Sequence, residues 1–302
     1  MTRTARARHL VALFVCSAVL VVPALAQTPQ RPATRGLLWK IQAGAGSTPV
    51  YLAGSVHALT ADAYPLSVAF ERAFDGAGTL VEEIDLGQMD LLAGGAIMFA
   101  KGFFDDGRTF ERAVSKETLD LVGARLNTMG LPVATISPMK PWTVAMMLMA
   151  VDIQSAGFDP GLGLDKYFYD KATRAGKPVK GLETIEEQVD RLDRMPIALQ
   201  EKMLRSTLHD IDSGQRELKT LVEAWRKGDS AALERILLAG FKSYPDAYAS
   251  LVVERNRNWL GPIDACLTQR SACFVVVGAA HLVGPDGLIT LLQRKGYRVE
   301  QQ

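Results

Sequence analysis

Phe274-Val-Val-Val-Gly278-Ala-Ala-His281 is an aromatic and β-branched run closed by a glycine, two alanines and a histidine. Phe274 to Val277 have the composition of a buried strand. Gly278 ends that strand, and His281 falls just past its C-terminal end, the edge at which open α/β sheets bind ligands. A glycine there lets the backbone turn sharply or approach a ligand closely. Val50-Tyr-Leu-Ala-Gly54-Ser-Val-His57 repeats the layout. Each copy leads into a segment that reads as a helix, opening near Pro65 in one and near Pro285 in the other. A further strand follows each, Thr79 to Ile84 and Tyr297 to Glu300. One Gly-x-x-His is a weak signal, since the two residues meet often by chance. Two copies in the same β–GxxH–α–β context are a much stronger one. Of the four histidines in the chain, His9 lies in a leader and His209 in a helical region, so the other two both belong to this motif.

The chain has 302 residues, enough for one large domain or two small ones. Arg3, Arg6 and Arg8 precede an apolar run from Leu10 to Val22, and Ala24-Leu-Ala26 follows Pro23. This is the pattern of a secretory signal peptide cleaved after Ala26, which predicts a periplasmic or secreted protein. Cleavage removes three arginines and no acid and leaves a slightly acidic chain. That balance lacks the basic surplus of a nucleic-acid binder. No later apolar run is long enough for a membrane span; Met146 to Val151 is apolar but short. Two cysteines remain, Cys266 and Cys273. In an oxidising compartment a pair so close favours a disulfide between a helix end and the strand that leads to His281, the alternative being two buried thiols.

Leu37 to Ile41 and Val50 to Ala53 read as a hairpin joined by Gly44, Gly46, Ser47 and Thr48. Thr79-Leu-Val-Glu-Glu-Ile-Asp85 is the next strand; by alternation Glu83 and Asp85 share one face and Glu82 takes the other. Acids are disfavoured in strands, so these three need a reason. Helical periodicity then dominates, over residues 89–101, 116–129, 141–156, 164–175, 185–194, 199–211, 215–227 and 230–239, with a short strand at Pro178 to Gly181. A last helix, Asp246 to Leu260, is expected to break before Pro262. The fold class is therefore α/β (α+β): a central mixed sheet built from both chain ends by the two β–GxxH–α–β units, with a helical insertion of about residues 86 to 245. Residues 27–302 form a single domain, and the insertion is expected to cover or gate the cleft.

The chain resembles the TraB/GumN family, related to the animal Tiki proteases. The resemblance rests on Gly54-Ser-Val-His57, Glu83-Ile-Asp85, Pro141-Trp142, Gly181-Leu-Glu-Thr184 with Gln188, Arg255-Asn256 and Gly278-Ala-Ala-His281, and it covers nearly the whole mature chain. It implies a fold core shared with the erythromycin-esterase and ChaN-like proteins. It also implies a divalent-metal-dependent peptidase whose active site uses both GxxH histidines and a strand glutamate.

Adjacent parallel strands would bring His57 and His281 together, and two neutral imidazoles with one carboxylate form a common catalytic metal site. His57, His281 and Glu83 are then the ligands of one divalent ion, manganese, zinc or cobalt. Glu83 is ligand or general base, or else a buried acid paired with Arg255. Asp85 is a candidate outer acceptor that fixes a histidine tautomer. Arg255 and Asn256, together on a helix, are candidates for stabilising an oxyanion; the alternative is a salt bridge and a surface amide. Glu183 and Gln188 are secondary candidates: Glu183 is expected to reach the cleft from the loop after a short strand, the alternative being a purely structural role, and Thr184 with Glu187 has capping-box spacing ahead of Gln188. The resulting expectation is a metal-dependent hydrolase acting on a peptide or small molecule. Its rivals are a non-catalytic periplasmic peptide or signal binder, and a metal-free esterase-like hydrolase with His57 as base.

Overall fold

The computed structural model describes residues 36–88, 91–208 and 211–302. The expected leader, the polar stretch up to Arg35 and His209 lie outside the described residues. The strands are β1 (Leu38–Gln42), β2 (Val50–Ser55), β3 (Ala77–Glu82), β4 (Val179–Gly181), β5 (Ala272–Gly278) and β6 (Arg298–Gln301). The helices are α1 (Val68–Asp75), α2 (Leu91–Gly102), α3 (Phe110–Ala113), α4 (Lys116–Thr128), α5 (Pro141–Ser155), α6 (Leu164–Ala175), α7 (Ile185–Asp193), α8 (Ile197–Leu208), α9 (Ile211–Lys227), α10 (Ser230–Ala239), α11 (Pro245–Tyr248), α12 (Glu254–Leu267) and α13 (Leu288–Arg294).

The sheet is mixed, six-stranded and ordered β4-β3-β5-β2-β1-β6. β1 is antiparallel to both its neighbours, and β2, β5, β3 and β4 are mutually parallel. The run that includes Phe274 to Val277 is its centre, buried along its whole length. β5 enters between β2 and β3, the two strands of the first β–GxxH–α–β unit, and its register with β2 places Ser55 opposite Gly278. The two GxxH turns therefore leave neighbouring strands at the same edge of the sheet. On one face Phe274 meets Phe74 of α1 and Phe168 of α6, with ring centroids 5.6 and 4.6 Å apart. α12 packs against β5 from the other face, burying Trp259, Ile263, Cys266 and Leu267.

α1 and α13 each begin three residues after the proline expected to open them, at Val68 and Leu288. The larger departure is α12, which continues through Pro262 to Leu267 instead of ending before it. A proline inside a helix costs about 3 kcal/mol. Each large apolar side chain buried on the other side of α12 returns about 1.5–3 kcal/mol. Pro262 itself faces solvent, so its ring meets water while the buried stripe holds the helix together.

The described residues between 86 and 245 are helical apart from β4 and the turns. They hold a small core of their own around Phe110, Val122, Leu126, Val144, Leu148 and Leu204. They also return to the sheet. α6 inserts Leu164, Phe168 and Ala172 into the main core, α9 adds Val222 and Trp225, and β4 pairs with β3. Cys266 and Cys273 form a disulfide with Cα atoms 5.9 Å apart, tying the end of α12 to the start of β5. No helix among the described residues is long and apolar enough to cross a membrane.

Candidate active site

The two motif glycines serve the same edge for different reasons, and neither has positive φ. A Cβ on Gly54 would stand 2.3 Å from Leu37 Cδ2 and 2.9 Å from Leu282 Cδ1, so Gly54 lets β2 pack against its neighbours. A Cβ on Gly278 would stand 3.1 Å from His57 Nε2, 3.1 Å from Glu83 Oε1 and 3.7 Å from His281 Cδ2. Gly278 thus leaves open the space on which both motif histidines and the strand glutamate converge.

His57 is oriented from α6. The start of that helix is clamped to the first motif by a bond from Leu164 N to Val56 O (3.2 Å). A Cβ on Gly163 would lie 2.4 Å from the His57 carbonyl oxygen. Asp165, in the first turn, takes a hydrogen bond from Ser55 Oγ (2.5 Å) and pairs with His57 Nδ1 (3.1 Å). The remaining nitrogen, Nε2, faces the Gly278 space. The ring is ringed by protein yet its side chain stays 64% accessible, the condition of a group in a cleft. The surrounding protein disfavours the imidazolium, but the hydrogen bond and charge of Asp165 and the charge of Glu83 outweigh that and raise His57 to about 9.

His281 is oriented from α12. Asn256 donates through Nδ2 to the carbonyls of His281 (3.1 Å) and Asp286 (2.8 Å), which leaves its Oδ1 to accept from His281 Nδ1 at 2.7 Å. The Nε2 lone pair of His281 therefore points into the site, where it accepts from Arg255 Nη1 at 3.0 Å. The indole of Trp259 covers the ring at a centroid distance of 4.5 Å. Burial holds His281 neutral, lowering it to about 3; Glu83 opposes this, and Arg255 and His57 reinforce it. Asn256, expected beside Arg255 as an oxyanion donor, is fully buried with both amide hydrogens engaged by carbonyls. It positions His281 instead.

Glu83 follows β3 and lies between the two histidines. Its Oε1 accepts from Gly278 N (2.6 Å) and stands 3.9 Å from His281 Nε2; its Oε2 accepts from Arg255 Nη2 (2.5 Å) and Gln188 Nε2 (3.2 Å). Burial alone would favour the neutral acid, but the surrounding His281, Arg255 and His57 and the Gly278 N–H hold Glu83 down to about 2. Arg255 also forks onto Glu183, through Nε (2.9 Å) and Nη2 (2.6 Å). Gln188 donates to Glu183 Oε1 as well (3.2 Å), from a helix started by the Thr184–Glu187 capping box.

Asp85 is not among these groups. Its carboxylate accepts from Gly87 N (2.9 Å) and Gln88 Nε2 (2.9 Å) in the turn after β3. The side chains that contact the Nδ1 atoms of the two histidines are instead Asp165 for His57 and Asn256 for His281. Glu82 lies on the opposite face of β3, 2% exposed, with neither carboxylate oxygen hydrogen-bonded. Burial first, and then the neighbouring carboxylates Asp165 and Asp85, push it up to about 9.

As the side chains stand, no group of three histidine, cysteine or acidic side chains among the described residues is arranged to hold a metal. The chemistry of the donors at this edge nevertheless suits a divalent cation. Both imidazoles present Nε2 to one space while their Nδ1 atoms are held by outer partners, as metal-binding histidines are held, and Glu83 is an anion. His57, His281 and Glu83 are the side chains that would hold it.

The family model for the TraB/PrgY/gumN family matches residues 37–301. The uncharacterized protein YbaP of Escherichia coli (strain K12) is 27% identical over 251 residues, covering 82% of this chain and 89% of its own length. An uncharacterized protein of Treponema pallidum (strain Nichols) is 21% identical over 276 residues, covering 86% of this chain and 80% of its own. No solved structure gives a significant match. The family match spans the whole sheet, both GxxH turns and the helices that orient them, and the chain belongs to the TraB/PrgY/gumN family.

Proposed function

We propose that the protein is an exported, metal-dependent hydrolase acting on peptides. The observation that carries this reading is the convergence of His57 Nε2, Glu83 Oε1 and His281 on the space above Gly278, each imidazole fixed through its other nitrogen. Export is supported by the sequence of the leader and by the Cys266–Cys273 pair. A bound divalent ion would supply Lewis acidity and lower the pKa of a bound water.

The chain's own residues carry the rest. Asp165 and Asn256 hold the two ligand rings in one tautomer each. Glu83, anchored by Gly278 N–H and held ionised, adds negative charge to the centre. Arg255 brings a permanent positive charge beside that centre, suited to the oxyanion that forms as a carbonyl is attacked. The open side of His57 is the approach for substrate.

A second reading has its own support: the His57–Asp165–Ser55 chain resembles a general acid–base pair that needs no metal. With His57 raised to about 9, such a site works as a base only as the pH rises towards that value, so its kcat/KM would climb through alkaline pH. The test is digestion of an unbiased peptide library by tag-free protein, with and without chelator, across pH 6–10. The metal reading expects cleavage at neutral pH that chelator abolishes and added manganese, zinc or cobalt restores. Chelator-insensitive cleavage that climbs towards pH 9 supports the second reading. Peptide retention without cleavage at any pH contradicts both and identifies a binder.

A further inference from the structure

We infer that Arg255 is a displaceable cation that reserves the metal position, so that a divalent ion loads only by taking His281 Nε2 away from the guanidinium. The inference rests on the metal reading above and concerns how this chain's own residues meet the ion. Glu83 and Glu183 are both buried, with side chains 11% and 6% exposed. Two buried carboxylates this close need a positive partner at all times, because an unpaired buried charge is strongly destabilising. Arg255, 8% exposed, is that partner. It cannot lose its charge, and its planar fork addresses several acceptors at once.

The fork divides the labour by nitrogen atom. Nε and Nη2 serve Glu183, and Nη2 also serves Glu83 Oε2. Nη1 alone touches His281 Nε2, at 3.0 Å, and it has a second acceptor in Leu251 O at 3.1 Å. Nη1 can therefore give up the imidazole without being orphaned. Leu251 lies in the π-helical turn Ala249–Val253 that leads into α12, and such turns recur at functional sites. Glu83 is divided in the same sense. Its Oε2 faces the arginine, while its Oε1 faces Gly278, His57 and His281. An ion that binds Oε1 and both Nε2 atoms competes with the arginine at one place only.

Loading then breaks the Nη1–His281 contact and keeps the guanidinium on Glu183 and Glu83 Oε2, so the positive charge stays beside the loaded centre. An ion that cannot pay for that contact is turned away.

The test is isothermal titration of tag-free, chelator-stripped protein with Mn²⁺ and with Zn²⁺, comparing wild type with Arg255→Lys. Lysine keeps the positive charge but lacks the fork, so the variant separates competition for His281 from long-range repulsion. The expected result is binding about ten-fold tighter, or more, in Arg255→Lys, because loading no longer breaks a charge-assisted hydrogen bond to His281. Equal or weaker binding in a folded variant overturns the inference and leaves the metal reading standing. Absence of binding in both proteins removes the inference and the metal reading together. If Arg255→Lys does not fold, wild type answers by long-range ¹H–¹⁵N NMR. Zn²⁺ should shift His281 Nε2 while the Arg255 Nε–H signal, held by Glu183, persists. Loss of that signal, or an unmoved His281, overturns the inference.

Discussion

His57 and Asp165 show how much of the site depends on a partner distant in sequence. The imidazole is useful to a ligand only if its ring is fixed with Nε2 facing the Gly278 space, and the 3.1 Å contact to Asp165 does this. Asp165→Asn keeps the volume and removes the charge. In metal-free protein the His57 titration should fall from about 9 towards its ordinary 6.5, because the hydrogen bond and charge of Asp165 do most to raise it. Histidine NMR measures this directly, and an unmoved titration would remove Asp165 from the site. Glu82 gives a second prediction. Its folded pKa of about 9 lies above its ordinary value of 4.5, so the native state keeps a proton that the unfolded chain releases between those values. Stability is therefore fully present below about pH 4.5 and declines as pH rises towards 9. Glu82→Gln abolishes this titration, so its stability relative to wild type should rise from pH 5 to pH 8 by at least about 1 kcal/mol. An identical difference at both pH values would contradict the assignment. The paired GxxH motifs made His57 and His281 legible, and a charged strand end marked Glu83. Asp165 was not legible, since an acid in the first turn of a helix reads as a complement to the helix dipole. Asn256 was legible by position but not by role, which depends on carbonyls at His281 and Asp286.

At the scale of elements, α12 carries Arg255 and Asn256 to the sheet edge and must run unbroken to Cys266 for the disulfide to reach β5. Pro262 interrupts its hydrogen-bond ladder on the solvent side. Pro262→Ala should restore the missing bond and stabilise the protein by about 1–3 kcal/mol, read as a higher midpoint in urea. A lower midpoint would mean that the proline supports a bend the site requires. The sequence rule that prolines end helices failed here because burial of Trp259, Ile263, Cys266 and Leu267 lies on the far side of α12 from the proline. The π-helical turn at Ala249–Val253 left no periodic signal either, because one inserted residue shifts the apolar stripe without erasing it. Elsewhere periodicity sufficed: α6 and α10 lie at the bounds their apolar spacing gives, and the Thr184–Glu187 box starts α7.

At the scale of the molecule, the central fact is topological. β5 arrives almost at the end of the chain and inserts between β2 and β3, which were laid down near its beginning. Two GxxH turns separated by more than half the chain thereby become neighbours. The repeat implied strands that could pair, but the order β4-β3-β5-β2-β1-β6 was beyond local pattern, since it is fixed by which faces the helices cover. The insertion was legible as helical and not as a structure that returns to the sheet through α6, β4 and α9, because an apolar helix face does not name what it packs on. We propose that His57, His281 and Glu83 form one centre that holds a single divalent ion. Its test is the stoichiometry of metal binding by tag-free protein, with thermal unfolding alongside, for wild type, His57→Ala and His281→Ala. Wild type is expected to bind one ion per chain and either variant none. Both variants should stay folded, because each histidine lies beyond its strand. Stoichiometric binding that survives both substitutions, or no binding by wild type with manganese, zinc or cobalt, would rule out a shared metal centre.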